Sequence, residues 1–167
     1  ASLKGLAIHT ADEAGTSAGP DYKFGWGLLN IASAVTFIND SATNKIEERI
    51  LASGTPQNIL FSADAGKPIK ITISWTDKSG TPVSSNLLNN PTKMLVNDLD
   101  IRLTRMSDNM VFNPYILDPA NPANAATTGD NNRDNVEMIY LATPDAGNYT
   151  LTISNKGNIV GSTQPYT

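Results

Sequence analysis

Oxygen donors are the chemically capable side chains of this chain, and they cluster. Asp98 and Asp100 stand two apart in a segment of period two, so both project from one face of a strand. Asp130-Asn131-Asn132-Arg133-Asp134 places Asp130, Asn132 and Asp134 at alternate positions, like the opening of a calcium loop. The full EF-hand pattern is excluded, because Asn135 and Leu141 stand where its glycine and final glutamate belong. Glu137 follows on a further strand, sharing a face with Asn135. If the strands bearing Asp98 and Glu137 are neighbours, four oxygen-bearing side chains converge. Asp98, Asp100, Asp130, Asn132, Asp134 and Glu137 are therefore the candidate calcium ligands. The competing reading has Asn97, Asp98 and Glu137 bonding backbone amides at the rim of a sandwich. A glycosidase pair is set aside: Asp98 and Asp100 are about 7 Å apart by strand rise, but such pairs flank a substrate from opposite sides.

Other chemistries are excluded by composition. There is no cysteine, so disulfides, thiolate metal sites and cysteine nucleophiles are absent. His9 is the single histidine, which argues against zinc and leaves a Ser-His-Asp triad one candidate base. A net charge of -4 without a basic run makes nucleic acid and anionic membrane surfaces unsuitable partners. No window approaches the roughly 18 apolar residues of a spanning helix. The opening residues read as mid-structure rather than as a signal peptide.

Two kinds of element must position these groups. Leu3, Leu6, Ala7 and Thr10 recur at helical spacing across residues 1–10. A second helix is expected over 31–38, capped by Asn30, with Ile31, Ala32, Val35 and Ile38 on one face. Between them lies the run Gly19 to Asn30, dense in glycine and aromatics. Tyr22, Phe24 and Trp26 need a surface to cover, and two short helices cannot bury a core. Residues 1–40 therefore read as the end of a domain whose bulk is missing, joined by a linker at 40–44 to a second domain, 41–167.

In that second part the period becomes two. Strands are expected at 45–53, 57–62, 69–75, 95–106, 110–116, 135–141, 148–155 and within 159–167, with long loops at 76–91 and 118–135. Ile69, Ile71, Ile73 and Trp75 should face inward, as should Leu99, Ile101 and Leu103. Val136, Met138 and Tyr140 share a face of the sixth strand, and Tyr149, Leu151 and Ile153 one of the next. A mainly β fold follows: an antiparallel, jelly-roll-like sandwich of about eight strands preceded by two short helices.

Lys4 to Asp12, Gly19 to Asn30 and Ala32 to Val35 preserve the order of a familiar pattern. They resemble the C-terminal end of the catalytic domain of subtilisin-like serine proteases. Ile71 to Asp77, Leu95 to Asp100, Asp134 to Glu137 and Ala146 to Leu151 resemble the β-domain appended to some secreted members of that family. The resemblance implies that the chain is the non-catalytic C-terminal region of a secreted, cell-surface or periplasmic serine endopeptidase. It would stabilise the catalytic domain or assist in binding protein and peptide substrates. The catalytic domain of the same polypeptide is its implied partner, and the triad should precede Ala1. Gly15-Thr16-Ser17-Ala18-Gly19-Pro20 mimics the family's nucleophile signature, but the glycine-aromatic run follows at once, with no helix between. The alternative is a carbohydrate- or protein-binding module, for which Trp75 would have to leave its apolar face and serve as a platform.

Overall fold

The computed structural model describes residues 1–40, 45–84, 87 and 90–167. Of the linker expected at 40–44, residues 41–44 lie outside the described residues. Ten strands and two helices are formed by the described chain.

A four-stranded antiparallel sheet is built from β2 (Gln57–Ala63), β9 (Gly147–Lys156), β4 (Asp98–Arg105) and β5 (Met110–Phe112), in the order β2-β9-β4-β5. Opposite it, β1 (Arg49–Ala52) pairs with β10 (Thr163–Tyr166), and β3 (Ile69–Ser74) with β8 (Val136–Leu141). A bridge between Trp75 and Tyr166 joins these two ladders, and Ser74 and Thr167 exchange backbone hydrogen bonds of 3.0 Å. The second sheet thus runs β1-β10-β3-β8. The chain crosses between sheets at nearly every connection, which is the jelly-roll arrangement. The segment read as one strand at 110–116 breaks at Pro114, which has no N–H to give a ladder. Tyr115–Ile116 (β6) instead pairs with Thr127–Thr128 (β7), inside the stretch expected to be loop.

Between the sheets lies the core: Leu51, Ile69, Ile73, Trp75, Leu99, Ile101, Leu103, Ile139, Tyr149, Leu151, Ile153, Ile159 and Tyr166. The inward faces expected for β3, β4 and β9 are the observed ones. On β8 Val136, Met138 and Tyr140 share a face as expected, and that face is the outer one. Ile73 pairs with Glu137 and Ile71 with Ile139, so Glu137 and Ile139 share the core face of β3, and Val136, Met138 and Tyr140 point outward. Val136 and Met138 are nevertheless buried. A strand covered on both sides gives no alternation to read.

The cover outside β3 and β8 is α1 (Ser2–His9). Gly5 reads as a weakness in a helix, and here it lets the helix approach the sheet: a Cβ at Gly5 would stand 3.1 Å from Ser74 Cβ. Lys4 Nζ donates to the backbone and side-chain oxygens of Asn135 at 2.8 and 2.7 Å. Beyond α1 the chain makes a two-way bridge between Asp12 and Leu28, with hydrogen bonds of 2.9 and 2.8 Å. Gly27 (φ +105°) is required there, since any Cβ would meet Asp12 O at 2.1 Å. Gly19 lies against the ring of Tyr115. Asn30 caps α2 (Ile31–Asn39) as expected, accepting from Ser33 N at 2.8 Å. No helix among the described residues is long and apolar enough to cross a membrane.

Candidate functional site

At the Asp98 end of β4, three aspartates converge on a lysine. Lys156 closes β9 directly opposite Asp98 in the ladder. Its ammonium lies 2.7 Å from Asp130 Oδ1, 3.0 Å from Asp100 Oδ1 and 3.6 Å from Asp98 Oδ2. Arg102, on the same strand face as Asp98 and Asp100, adds contacts of 3.1 Å to Asp100 and 2.5 Å to Asp130. Period two sets Asp98, Asp100 and Arg102 in a row, and the excursion between β7 and β8 brings Asp130 over them. Asp100 is on the outward face of its sheet, yet only 3% of it is exposed.

Glu137 approaches from the opposite sheet. Its Oε2 accepts the Ile101 N–H at 2.7 Å, at a point where β5 no longer borders β4. The side chain is completely buried, and its Oε1 has no hydrogen-bond partner. Burial drives its pKa up to about 9, against the lowering effect of the Ile101 N–H. Glu137 is therefore a neutral acid at pH 7. Burial likewise raises Asp98 and Asp100, whereas the Lys156 hydrogen bond holds Asp130 below the usual carboxylate range. Burial works against the charge of Lys156, but its bonds to Asp130 and Asp100 prevail and raise its pKa.

Three of the six candidate ligands thus meet at Lys156, namely Asp98, Asp100 and Asp130, while Glu137 stands at Ile101 N and feels Asp100 electrostatically. Asn132 and Asp134 do not join them. Asp134 accepts from Asn131 Nδ2 at 3.0 Å and acts electrostatically on Lys4. The buried, unpartnered oxygens Asp98 Oδ1 and Glu137 Oε1 are what cation ligands would show. The space among the three aspartates, however, is taken by the Lys156 ammonium. Among the described residues no group of three or more His, Asp or Glu side chains is arranged to hold a metal ion. As placed, Lys156 and Arg102 offset two of the three aspartate charges.

Sequence reasoning missed Lys156, and with it the counter-charge of the site. Only the β4–β9 register could reveal it. It also missed a neighbouring polar clamp at the end of the second sheet. Buried Asn97 donates to Gln164 Oε1 at 2.7 Å and accepts from Val160 N at 2.8 Å. Trp75 Nε1 donates to Asn97 O at 2.9 Å, and Asp77 accepts from the amides of Val96 and Asn97 at 2.6 and 2.8 Å. The backbone-bonding role weighed for Asn97 is the one seen. Trp75 is fully buried and cannot act as a sugar platform.

No nucleophilic centre forms around His9. Its Nδ1 meets Thr72 Oγ1 at 2.9 Å and its ring lies 4.6 Å from that of Phe37. Burial, and secondarily the charge of Lys70, lower its pKa to about 4. Ser17 is exposed in a run of bends.

The face expected to be apolar on α2 is indeed so, but nothing in the described chain covers it. Leu28 (59%), Leu29 (65%), Ile31 (61%), Val35 (51%) and Ile38 (55%) are exposed, while Ala34 and Phe37 turn toward the protein. Tyr22 and Phe24 are half exposed.

No family model matches the sequence. The chain is similar to the serine protease/ABC transporter B family protein tagA of Dictyostelium discoideum, with 28% identity over 153 residues. The alignment takes in 87% of this chain and 8% of that protein, so the chain spans less than a tenth of its relative's length. The link to a serine protease is distant.

Proposed function

We propose that this chain is the non-catalytic C-terminal region of a secreted subtilisin-like serine endopeptidase. Residues 1–40 would close the catalytic domain, and the sandwich from 41 onward would stabilise it. The observation that carries this reading is the uncovered surface of Leu28, Leu29, Ile31, Val35 and Ile38, contiguous along the end of the glycine-aromatic run and α2. A patch of large aliphatic side chains on so small a segment is costly to leave in water and is the mark of a buried interface. The body of a protease domain is the partner that the resemblance of residues 4–35 supplies, and the distant similarity to a serine protease agrees with it. In this reading α1 transmits the attachment: it belongs to the protease segment, yet is seated on β3 through Gly5 and His9 and held to Asn135, ahead of β8, through Lys4.

Peptide-bond hydrolysis would be the work of residues ahead of Ala1. The chain contributes rigidity and, at its sandwich surface, a place for protein or peptide substrate to lie. The deciding experiment expresses the parent reading frame with and without residues 41–167. Its peptidase activity and half-life at elevated temperature are then measured. An active enzyme that inactivates faster without the sandwich is expected. A parent with no peptidase activity, or without the family's Asp, His and Ser motifs ahead of Ala1, ends the reading.

A further inference from the structure

β2 forms one border of the four-stranded sheet. It is paired to β9 over its whole length, from Gln57 opposite Ile153 to Ala63 opposite Gly147. Its other edge has no strand and no backbone hydrogen-bond partner among the described residues. An unpaired edge is a template for another strand, and proteins usually guard it with charge, proline or brevity. Two other borders here are guarded. β5 has three residues and follows the 2.6 Å Arg105–Asp108 ion pair. β1 has four and begins at Arg49, paired to Glu47 at 2.6 Å. β2 has seven residues, Gln-Asn-Ile-Leu-Phe-Ser-Ala, with no charge and no proline.

Its side chains point the same way. Leu60, at the middle of the strand, is 64% exposed on the outer face. On the inner face Ile59, Phe61 and Ala63 are only partly buried, packed against the core at its open flank. We propose that β2 is a self-association edge, at which a second copy of this chain adds its own β2 antiparallel about a two-fold axis at Leu60. In that register Leu60 faces Leu60 of the copy, Ile59 faces Phe61, and Asn58 faces Ser62. Each leucine buries the other, and the Ile59–Phe61 pairs close the flank of both cores. Asn58 and Ser62 already use this chemistry toward β9: Thr152 Oγ1 donates to Asn58 Oδ1 at 2.8 Å, and Ser62 Oγ to Asn148 Oδ1 at 2.7 Å. The Asn58 amide group remains as a donor for the copy's Ser62. With no charge on either strand, nothing repels the pair. One shared ladder is a small interface, so the dimer is weak and concentration-dependent. This association is independent of the protease reading, which uses the α2 face.

Sedimentation equilibrium of the 167-residue chain, from micromolar to millimolar, is the test. Wild-type chain should dimerise, and Leu60→Lys or Leu60→Glu should each raise the dissociation constant by at least about tenfold. Both substitutions are at an exposed position, and circular dichroism checks that each variant is folded. Mixing the two should restore association, because lysine then faces glutamate across the axis. A chain monomeric at millimolar concentration overturns the proposal, as does a mixture no more associated than either variant alone. A dimer that survives Leu60→Lys but dissolves on Val35→Ser overturns it too and assigns the association to α2.

Discussion

Glu137 is the residue on which the most chemistry turns. A carboxyl group with its pKa near 9 in the folded state and near 4.5 when unfolded is bound more tightly to its proton by the fold. Stability should therefore decline as pH rises from about 4.5 through about 9, and Glu137→Gln should flatten that part of a melting-temperature profile. His9 acts in the opposite window. Its folded pKa of about 4 lies below its ordinary 6.5, so the stability it lends is complete above 6.5 and disappears as pH falls toward 4. His9→Gln should remove that acid sensitivity in the same profile. Lys156 is the counter-charge for three aspartates. Lys156→Gln should cost about 1–3 kcal/mol in denaturant titration, since Asp98 is left partly buried without a counter-charge and Asp100 keeps only Arg102. A chelator should leave the wild-type melting temperature unchanged, and calcium should stabilise Lys156→Gln more than wild type.

At the scale of elements, the loop from Asp12 to Leu28 and helix α2 behave differently from the strands. Gly27→Ala cannot be accommodated, because its Cβ would overlap Asp12 O at a φ of +105°. The variant should lose the Asp12–Leu28 bridge, seen as faster hydrogen exchange at those two amides, with the sandwich amides little affected. Ile31→Ser and Val35→Ser, on the exposed face of α2, should alter the stability of the isolated chain by no more than about 0.5 kcal/mol. In the proposed protease parent the same changes should shorten the thermal half-life. Helix α2 was legible in outline, from Asn30 as cap to the Ile31–Val35–Ile38 stripe. The stripe could not tell which way it would turn: amphipathicity marks an interface face without saying whether the chain at hand supplies the other side.

For the molecule as a whole, the crossing of the chain between two sheets sets the stability. Trp75 anchors both, as a core residue of one sheet edge and as donor to Asn97 at the head of β4. Trp75→Ala should cost about 3–5 kcal/mol and lower the unfolding midpoint accordingly. Trp75→Phe, which keeps most of the volume but not the indole N–H, should cost less and separate packing from the hydrogen bond. The packing of α1 on β3 ties the helical segment to the sandwich.

Sequence alone determined what local periodicity can carry. The isoleucine face of β3, the Leu99–Ile101–Leu103 row, the shared face of Asp98 and Asp100, and the Asn30 cap all follow from the spacing of residues within one segment. Tertiary structure decided everything that depends on which segments meet. It turned Glu137 rather than Met138 inward, since β8 is buried on both faces. It placed Lys156 among the aspartates through a register spanning fifty-odd residues of chain. It joined two ladders into one sheet through Trp75 and Tyr166, and left the apolar face of α2 turned away from the core formed by the described residues. Side-chain alternation fixes direction relative to a strand; only the neighbour across the ladder fixes what lies in that direction.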